Sequence, residues 1–232
     1  LPKGHRSIHL EENVAADMSK VHSTAVVQTR QDREKRARQQ EILQAARELF
    51  TQKGYHETTL DEVAHHAGFG KGTLYNYFSS KEELLYAIID QLVQEMTALA
   101  ETAAGAASTD ARTQFSRFAR SVLTHARDNA DLMQLIIREV KRLDSPDKNK
   151  RMQEIKERII AVWQTLAKPL ENEMAAGKLK TFDPVTLAML YDGMLRFYCM
   201  NRFGSSPAIK DDDSQDAADL LVTVFFDGIA KH

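Results

Sequence analysis

The stretch Thr59–Lys81, TLDEVAHHAGFGKGTLYNYFSSK, decides the fold. It opens on Thr59-Leu60-Asp61-Glu62, where a threonine can cap the free amides of a new helix while the glutamate three positions on reaches back to it. Gly68 then stops that helix, because glycine enters the left-handed conformation of a helix end without a Cβ penalty. A second short helical segment is expected over residues 73–78. Ser80-Lys81-Glu82-Glu83 repeats the capping pattern and starts a long helix with Leu85, Ile88, Ile89, Leu92, Met96 and Leu99 along one stripe. Two short helices joined by a glycine turn make a helix-turn-helix, whose second helix fits a DNA major groove about 12 Å wide. In that helix Lys71, Thr73, Tyr75 and Tyr77 are expected to point outward, and Leu74 and Phe78 inward. Lys81, at a helix N-terminus, is expected to hold a phosphate together with the free amides there. The same segment also reads as an ordinary surface hairpin of two helices.

Upstream, Ile42, Ala45, Ala46, Leu49 and Phe50 share one helical face that closes at Gly54. The helical register is expected to begin at Asp32. Residues 30–39 carry Arg30, Arg33, Lys35, Arg36 and Arg38 against Asp32 and Glu34. That run reads as a solvated helix start, and it would suit a phosphate backbone beside the groove. The first thirty residues are polar and unpatterned. Because the chain opens on Leu1 and Met18 could be a natural start, part of them is expected to be a remnant of expression.

Downstream, helices are expected over 109–128, 131–143, 146–176, 184–203 and 213–230. Ser145-Pro146 and Asp183-Pro184 each place a capping side chain before a proline at the first helical position. Pro169 should kink or split its helix. The expected organisation is an N-terminal extension over 1–30, a helix-turn-helix domain over 31–80 and a larger helical domain over 81–232.

Composition agrees with an all-α chain. There are 28 alanines and 22 leucines, whereas glycine and proline together number only 15. A formal charge of −2 gives no bulk attraction to nucleic acid, so DNA binding must come from local placement. The lone cysteine, Cys199, offers no internal disulfide and no cysteine metal framework. The strongest apolar run, Leu220–Phe226, includes Thr223 and is far short of the roughly 20 residues that span a membrane. With no secretory leader visible either, a cytoplasmic location and no membrane partner are expected.

Other chemistry fails on spacing. Gly70-Lys71 is followed by Gly72 rather than by serine or threonine, and position 65 is histidine, so no phosphate-binding Walker loop is present. A dinucleotide fingerprint would need glycine at Thr73 and a preceding strand. Adjacent His65 and His66 diverge by about 100° on a helix and cannot share an ion from one face. Glu62 and His65 match one arm of a di-iron site with no second copy. Asp211-Asp212-Asp213 lacks the alternate spacing of a calcium loop and reads as negative charge at a helix start. No catalytic residue, metal site or cofactor is expected.

The larger domain supplies Phe118, Met133, Ile137, Trp163, Met194 and Tyr198, which are core residues or the lining of an apolar ligand pocket. In the last two helices Leu187, Leu190, Leu221, Val224 and Phe225 are apolar enough to pack on a second copy.

Ile42–Phe50 with Gly54, followed by TTLDEVAHHAGFGKGTLYNYFSSKEELL, closely resembles the DNA-binding domain of the tetracycline-repressor (TetR) family of bacterial transcriptional regulators. The resemblance covers about residues 35–90. It implies an all-α homodimer paired through its last two helices, and a small-molecule effector in the C-terminal domain that releases operator DNA. By position it implies DNA contacts at Thr59, Lys71, Gly72, Thr73, Tyr75, Asn76, Tyr77 and Lys81. Gly70 departs from the polar residue often found there. Two other readings stand beside it: a helical enzyme or cofactor carrier whose segment 59–81 is a structural hairpin, and a helical adaptor for protein partners.

Overall fold

The computed structural model describes residues 29–105, 110–140, 142, 150–203 and 214–230. Ser145-Pro146, Asp211–Asp213 and residues 1–28 of the N-terminal extension lie outside them. Among the described residues there are nine helices and no strand: α1 Arg30–Gln52, α2 Leu60–His66, α3 Lys71–Tyr75, α4 Lys81–Gly105, α5 Ala111–Asp128, α6 Ala130–Val140, α7 Lys150–Ala175, α8 Pro184–Arg202 and α9 Ser214–Ile229. The chain divides into two compact units at Gln40 and Glu41.

Of the first unit, residues 29–40 begin α1. That helix starts two residues before Asp32, because Thr29 and Asp32 cap each other: the Asp32 amide donates to Thr29 Oγ1 at 3.2 Å, and the Thr29 amide donates back to the Asp32 carboxylate at 3.1 Å. An aspartate does here what glutamate does in the usual box. Arg33, Lys35, Arg36 and Arg38 are exposed.

The second unit holds two apolar cores. One gathers Ile42, Ala46 and Phe50 of α1, Val63 of α2, Leu74 of α3 and Leu84, Leu85 and Ile88 of α4, and it takes in Leu132 and Leu135 of α6 and Met152 and Ile155 of α7. The other is built on α5, α7, α8 and α9 around Phe115. Phe115 stacks on Phe225 at 5.6 Å and meets Tyr191 and Phe226 edge-on at 4.7 and 5.3 Å. The Tyr191 hydroxyl donates to the Phe115 carbonyl at 3.0 Å, so the one polar atom of this ring cluster is satisfied. Around the rim, Arg120 pairs with Asp219 at 2.8 Å and ties α5 to α9.

Local chemistry fixes most boundaries. Asp110 caps α5 through the Thr113 amide at 2.9 Å, and Asp183 caps α8 through the Thr186 amide at 2.7 Å, with Pro184 at the first helical position. Ser80 accepts the Glu83 amide at 3.1 Å, but the reciprocal arm is displaced: the Glu83 carboxylate takes the amide and hydroxyl of Ser79, both at 2.8 Å. Of the expected kink or split at Pro169, the split is corrected. Helix α7 runs unbroken from Lys150 to Ala175 with Pro169 inside it and buried. One missing amide costs less than the apolar face, including Val162, Leu166 and Leu170, that α7 buries on both sides of the proline.

Candidate nucleic-acid interface and ligand cavity

Helix α2 opens on a complete capping box. The Glu62 amide donates to Thr59 Oγ1 at 3.2 Å, and the Thr59 amide donates to the Glu62 carboxylate at 2.8 Å. Lys53, from the end of α1, reaches the same carboxylate. That ammonium first, and then the Thr59 amide and hydroxyl, hold the Glu62 carboxyl down to about 2. A carboxyl lowered by folding stabilises above its unfolded value near 4.5 and loses that contribution as pH falls toward the folded value. Glu62→Gln should therefore flatten the acid-induced loss of stability between about pH 4.5 and 2, read by thermal melts across that window. An unchanged acid limb in the variant would count against this role.

The turn after α2 is a Schellman motif. The Gly68 amide bonds the His65 carbonyl at 3.1 Å, and the Phe69 amide bonds the Ala64 carbonyl at 2.8 Å. Gly68 has φ +74°, which a Cβ would strain. Phe69 packs half-buried on the first core and so sets the angle at which α3 leaves. Helix α3 spans Lys71–Tyr75, two residues earlier than the sequence reading placed it. Gly70 caps it with its carbonyl, which accepts the Thr73 amide at 2.9 Å.

Leu74 and Phe78 are buried, as their spacing requires, and anchor α3 to α1 and α4. Tyr75, Lys71, Gly72 and Asn76 are exposed, whereas Thr73 and Tyr77 are half-buried and Tyr77 rests on the first core. Lys71 pairs with Asp61 of α2 at 2.8 Å, which raises its already high pKa, and lies 5.8 Å above the Tyr75 ring. The Thr59 hydroxyl is committed to its cap. Lys81 differs from expectation: its ammonium donates to the carbonyls of Tyr55 and His56, both at 2.9 Å, and sits over the Tyr55 ring. It braces the loop after α1 in this arrangement.

Gly72 lies in an exposed helix, and a Cβ there would meet no atom of the protein within 4 Å. Internal packing does not ask for glycine, which costs a helix about 1 kcal/mol relative to alanine. Gly72→Ala should hold or slightly raise the melting temperature while weakening binding to duplex DNA. A tighter complex would mean that nothing approaches at that point.

A cavity of about 240 Å³ lies among α4, α5, α6, α7 and α8. Its walls come from both cores: Ile89, Leu92 and Met133 belong to or pack on the first, and Val122, Val162 and Cys199 belong to the second. Of the pocket residues expected from sequence, Met133 and Ile137 line it. Phe118 is packed inside the second core, and Met194 and Tyr198 pack against that core instead. Trp163 stands one shell back, donating its indole N–H at 2.7 Å to Asp192, which does line the cavity and also pairs with Arg196. Sequence reasoning missed His125, Gln134, Asp192 and Arg196, the polar members of the wall, because only the packing of α5, α6 and α8 brings them together. Burial of Cys199 pushes its thiol up to about 12.

The expected partner surface is corrected in the same way. Leu187, Leu221 and Phe225 are buried in the chain's own core, whereas Leu190 and Val224 are exposed. The outward apolar residues of α8 and α9 are Met189, Leu190, Phe197, Met200, Leu220 and Val224, with Phe197 at 68% exposure. Neighbouring positions on a helix point about 100° apart, so a one-residue change of register moves a side chain from core to surface.

Among the described residues no group of three or more metal-ligating side chains gathers, and no helix is long and apolar enough to cross a membrane. A capped helix, a Schellman turn and a short helix with an exposed Lys71–Tyr75 face define a helix-turn-helix protein built wholly of helices. Residues 42–88 match the family described as bacterial regulatory proteins, tetR family. Over that segment the chain carries the DNA-binding domain of the tetR family, whose members are transcriptional regulators. It is 27% identical over 200 residues to the HTH-type transcriptional regulator YhgD of Bacillus subtilis, covering 82% of this chain and 96% of that protein. The fold is shared with the TetR-family regulator PfmR of Thermus thermophilus (24% identity, TM-score 0.59, 79% of this chain and 96% of that one). It is shared too with the fatty acid degradation regulator FadR of Bacillus halodurans (16% identity, TM-score 0.63, 80% and 93%).

Proposed function

We propose that this protein is a homodimeric repressor that leaves a pseudo-palindromic operator when a small apolar molecule fills the cavity. The observation carrying this reading is that the cavity wall is divided between the two cores. Ile89 and Leu92 pack with the helix-turn-helix on one side and face the same space as Val122 and Val162 on the other. An occupant that parts these walls changes how α4 holds α2 and α3, and a coupling of about 1–3 kcal/mol is enough for induction. The lining is mostly Ile, Leu, Val and Met, and its acid Asp192 is already paired with Arg196 and Trp163. That favours a molecule whose bulk is hydrocarbon or aromatic, in keeping with the fatty acid degradation regulator among the proteins of like fold.

Within this reading residues 31–80 bind DNA and residues 81–232 bind the effector and a second copy. Leu190, Phe197, Leu220 and Val224 form the pairing face. The DNA contacts are Lys71, Gly72, Thr73, Tyr75, Asn76 and Tyr77, with Thr59 and Lys81 at the edges. Two recognition helices on a two-fold read half-sites about one helical turn, 34–36 Å, or a multiple apart. Selection of duplexes from a random pool, with titration at two salt concentrations, tests it. An enriched inverted repeat supports the dimeric regulator, and failure to enrich any sequence overturns it.

A further inference from the structure

A ring of polar contacts, three between side chains and the last through the His125 backbone carbonyl, connects the cavity wall to helix α1. His125 of α5 lines the cavity. Its Nε2 lies 3.1 Å from Glu95 Oε2 of α4; both atoms are shut off from solvent, and neither has a hydrogen-bond partner among the described residues, so they meet as a close ion-pair contact. The other oxygen of Glu95 faces Arg47 of α1 at 3.7 Å. Arg47 donates to Asn129 Oδ1 at 2.9 Å, and the Asn129 amide donates to the His125 carbonyl at 2.9 Å, which closes the ring. The Arg47 side chain is only 16% exposed although it carries a full charge.

Resting on the regulator reading above, we infer that His125, Glu95 and Arg47 form the coupling element through which occupancy of the cavity reaches the DNA-binding helices. The reason lies in how the ring is held. The guanidinium is mostly withdrawn from water, so its position depends on the carboxylate and amide that replace water there. An occupant that turns or displaces the His125 ring alters the close ion-pair contact of Glu95 Oε2, and the carboxylate then moves relative to Arg47. Arg47 lies on α1 between Ala46 and Phe50, which are fully buried under the helix-turn-helix. A shift of Arg47 is thereby a shift of the surface on which Leu74 of α3 rests. These three are positioning residues, since none of them is among the expected DNA contacts.

Coupling between two sites is reciprocal in binding free energy, so DNA and a cavity occupant change each other's affinity by the same factor, and the contacts that carry the coupling respond to DNA as well as to the occupant. The test uses the full-length protein with its histidines isotopically labelled and a duplex from the selection described above. The His125 imidazole signal, identified by its loss in His125→Gln, is followed through a titration with that duplex. The expected result is a clear movement of this signal on DNA binding, lost in Arg47→Met although that variant still binds the duplex. Glu95→Gln, which keeps the shape of the side chain, breaks the ring from the other end and should lose the movement too. An unmoved His125 signal in a wild-type protein that binds the duplex overturns the inference and leaves the regulator reading intact. Equal movement in wild type and both variants overturns it as well. A wild-type protein that binds no duplex overturns both readings.

Discussion

Tyr75→Ala is expected to weaken binding to the selected operator by about 1–3 kcal/mol while leaving the fold unchanged. Tyr75 is 45% exposed on α3, and its neighbour Leu74 is fully buried and carries the packing of that helix. Removing the phenol ring therefore costs the protein little internally. It takes away a large amphipathic surface from the C-terminal end of α3, on the face proposed to meet the groove. Lys71→Ala provides the contrast. A lysine on phosphate contributes to every sequence alike, so its loss should lower affinity uniformly and reduce the salt slope by about one. Its pairing with Asp61 must be given up on DNA, which makes the lysine effect the smaller of the two. Titration of both variants at two salt concentrations, on operator and on scrambled duplex, separates the roles. If Tyr75→Ala bound the operator as well as wild type, the outward face of α3 would not be the reading face.

The second large effect concerns stability. Phe115→Ala should cost about 3–5 kcal/mol, the range for removing a buried phenylalanine ring. Phe115 is fully buried and touches three other rings at once, so the space it leaves cannot close by the movement of one neighbour. For a chain of this size the loss corresponds to a fall of roughly 6–20 °C in melting temperature. Phe118→Ala, in the same core but without those ring contacts, is the comparison. A fall of a degree or two for Phe115→Ala would mean that the cluster is not the keystone of the second core.

Much of the architecture was legible because it is written in local chemistry. The Thr59–Glu62 box, the glycine at 68 and the Asp183-Pro184 pair each act within four residues, and each stands where its spacing puts it. The cap of α1 escaped notice because aspartate at 32 takes the place of the usual glutamate. Pro169 does not split its helix because tertiary burial overrides a local breaker, and the strength of that burial cannot be read from the helix alone. The cavity was half legible. Met133 and Ile137 were found by apolar periodicity, but His125, Asp192 and Arg196 look like any polar helical residue until three helices bring them to one space. Likewise Leu187 and Leu190 are equally apolar, and only the packing decides that the first is core and the second is surface.

The first core has a further consequence. It reaches beyond the DNA-binding segment, since Phe50 and Leu74 share it with Leu132, Leu135, Met152 and Ile155, from more than fifty residues downstream. A fragment cut after residue 80 would expose the apolar flank that those side chains cover, so the reading head is not a portable module. Grafting it onto a different bundle would require that bundle to bring matching leucines and isoleucines on two of its own helices. For this chain, a new operator preference is then more easily reached by changing the outward residues of α3 than by exchanging the head.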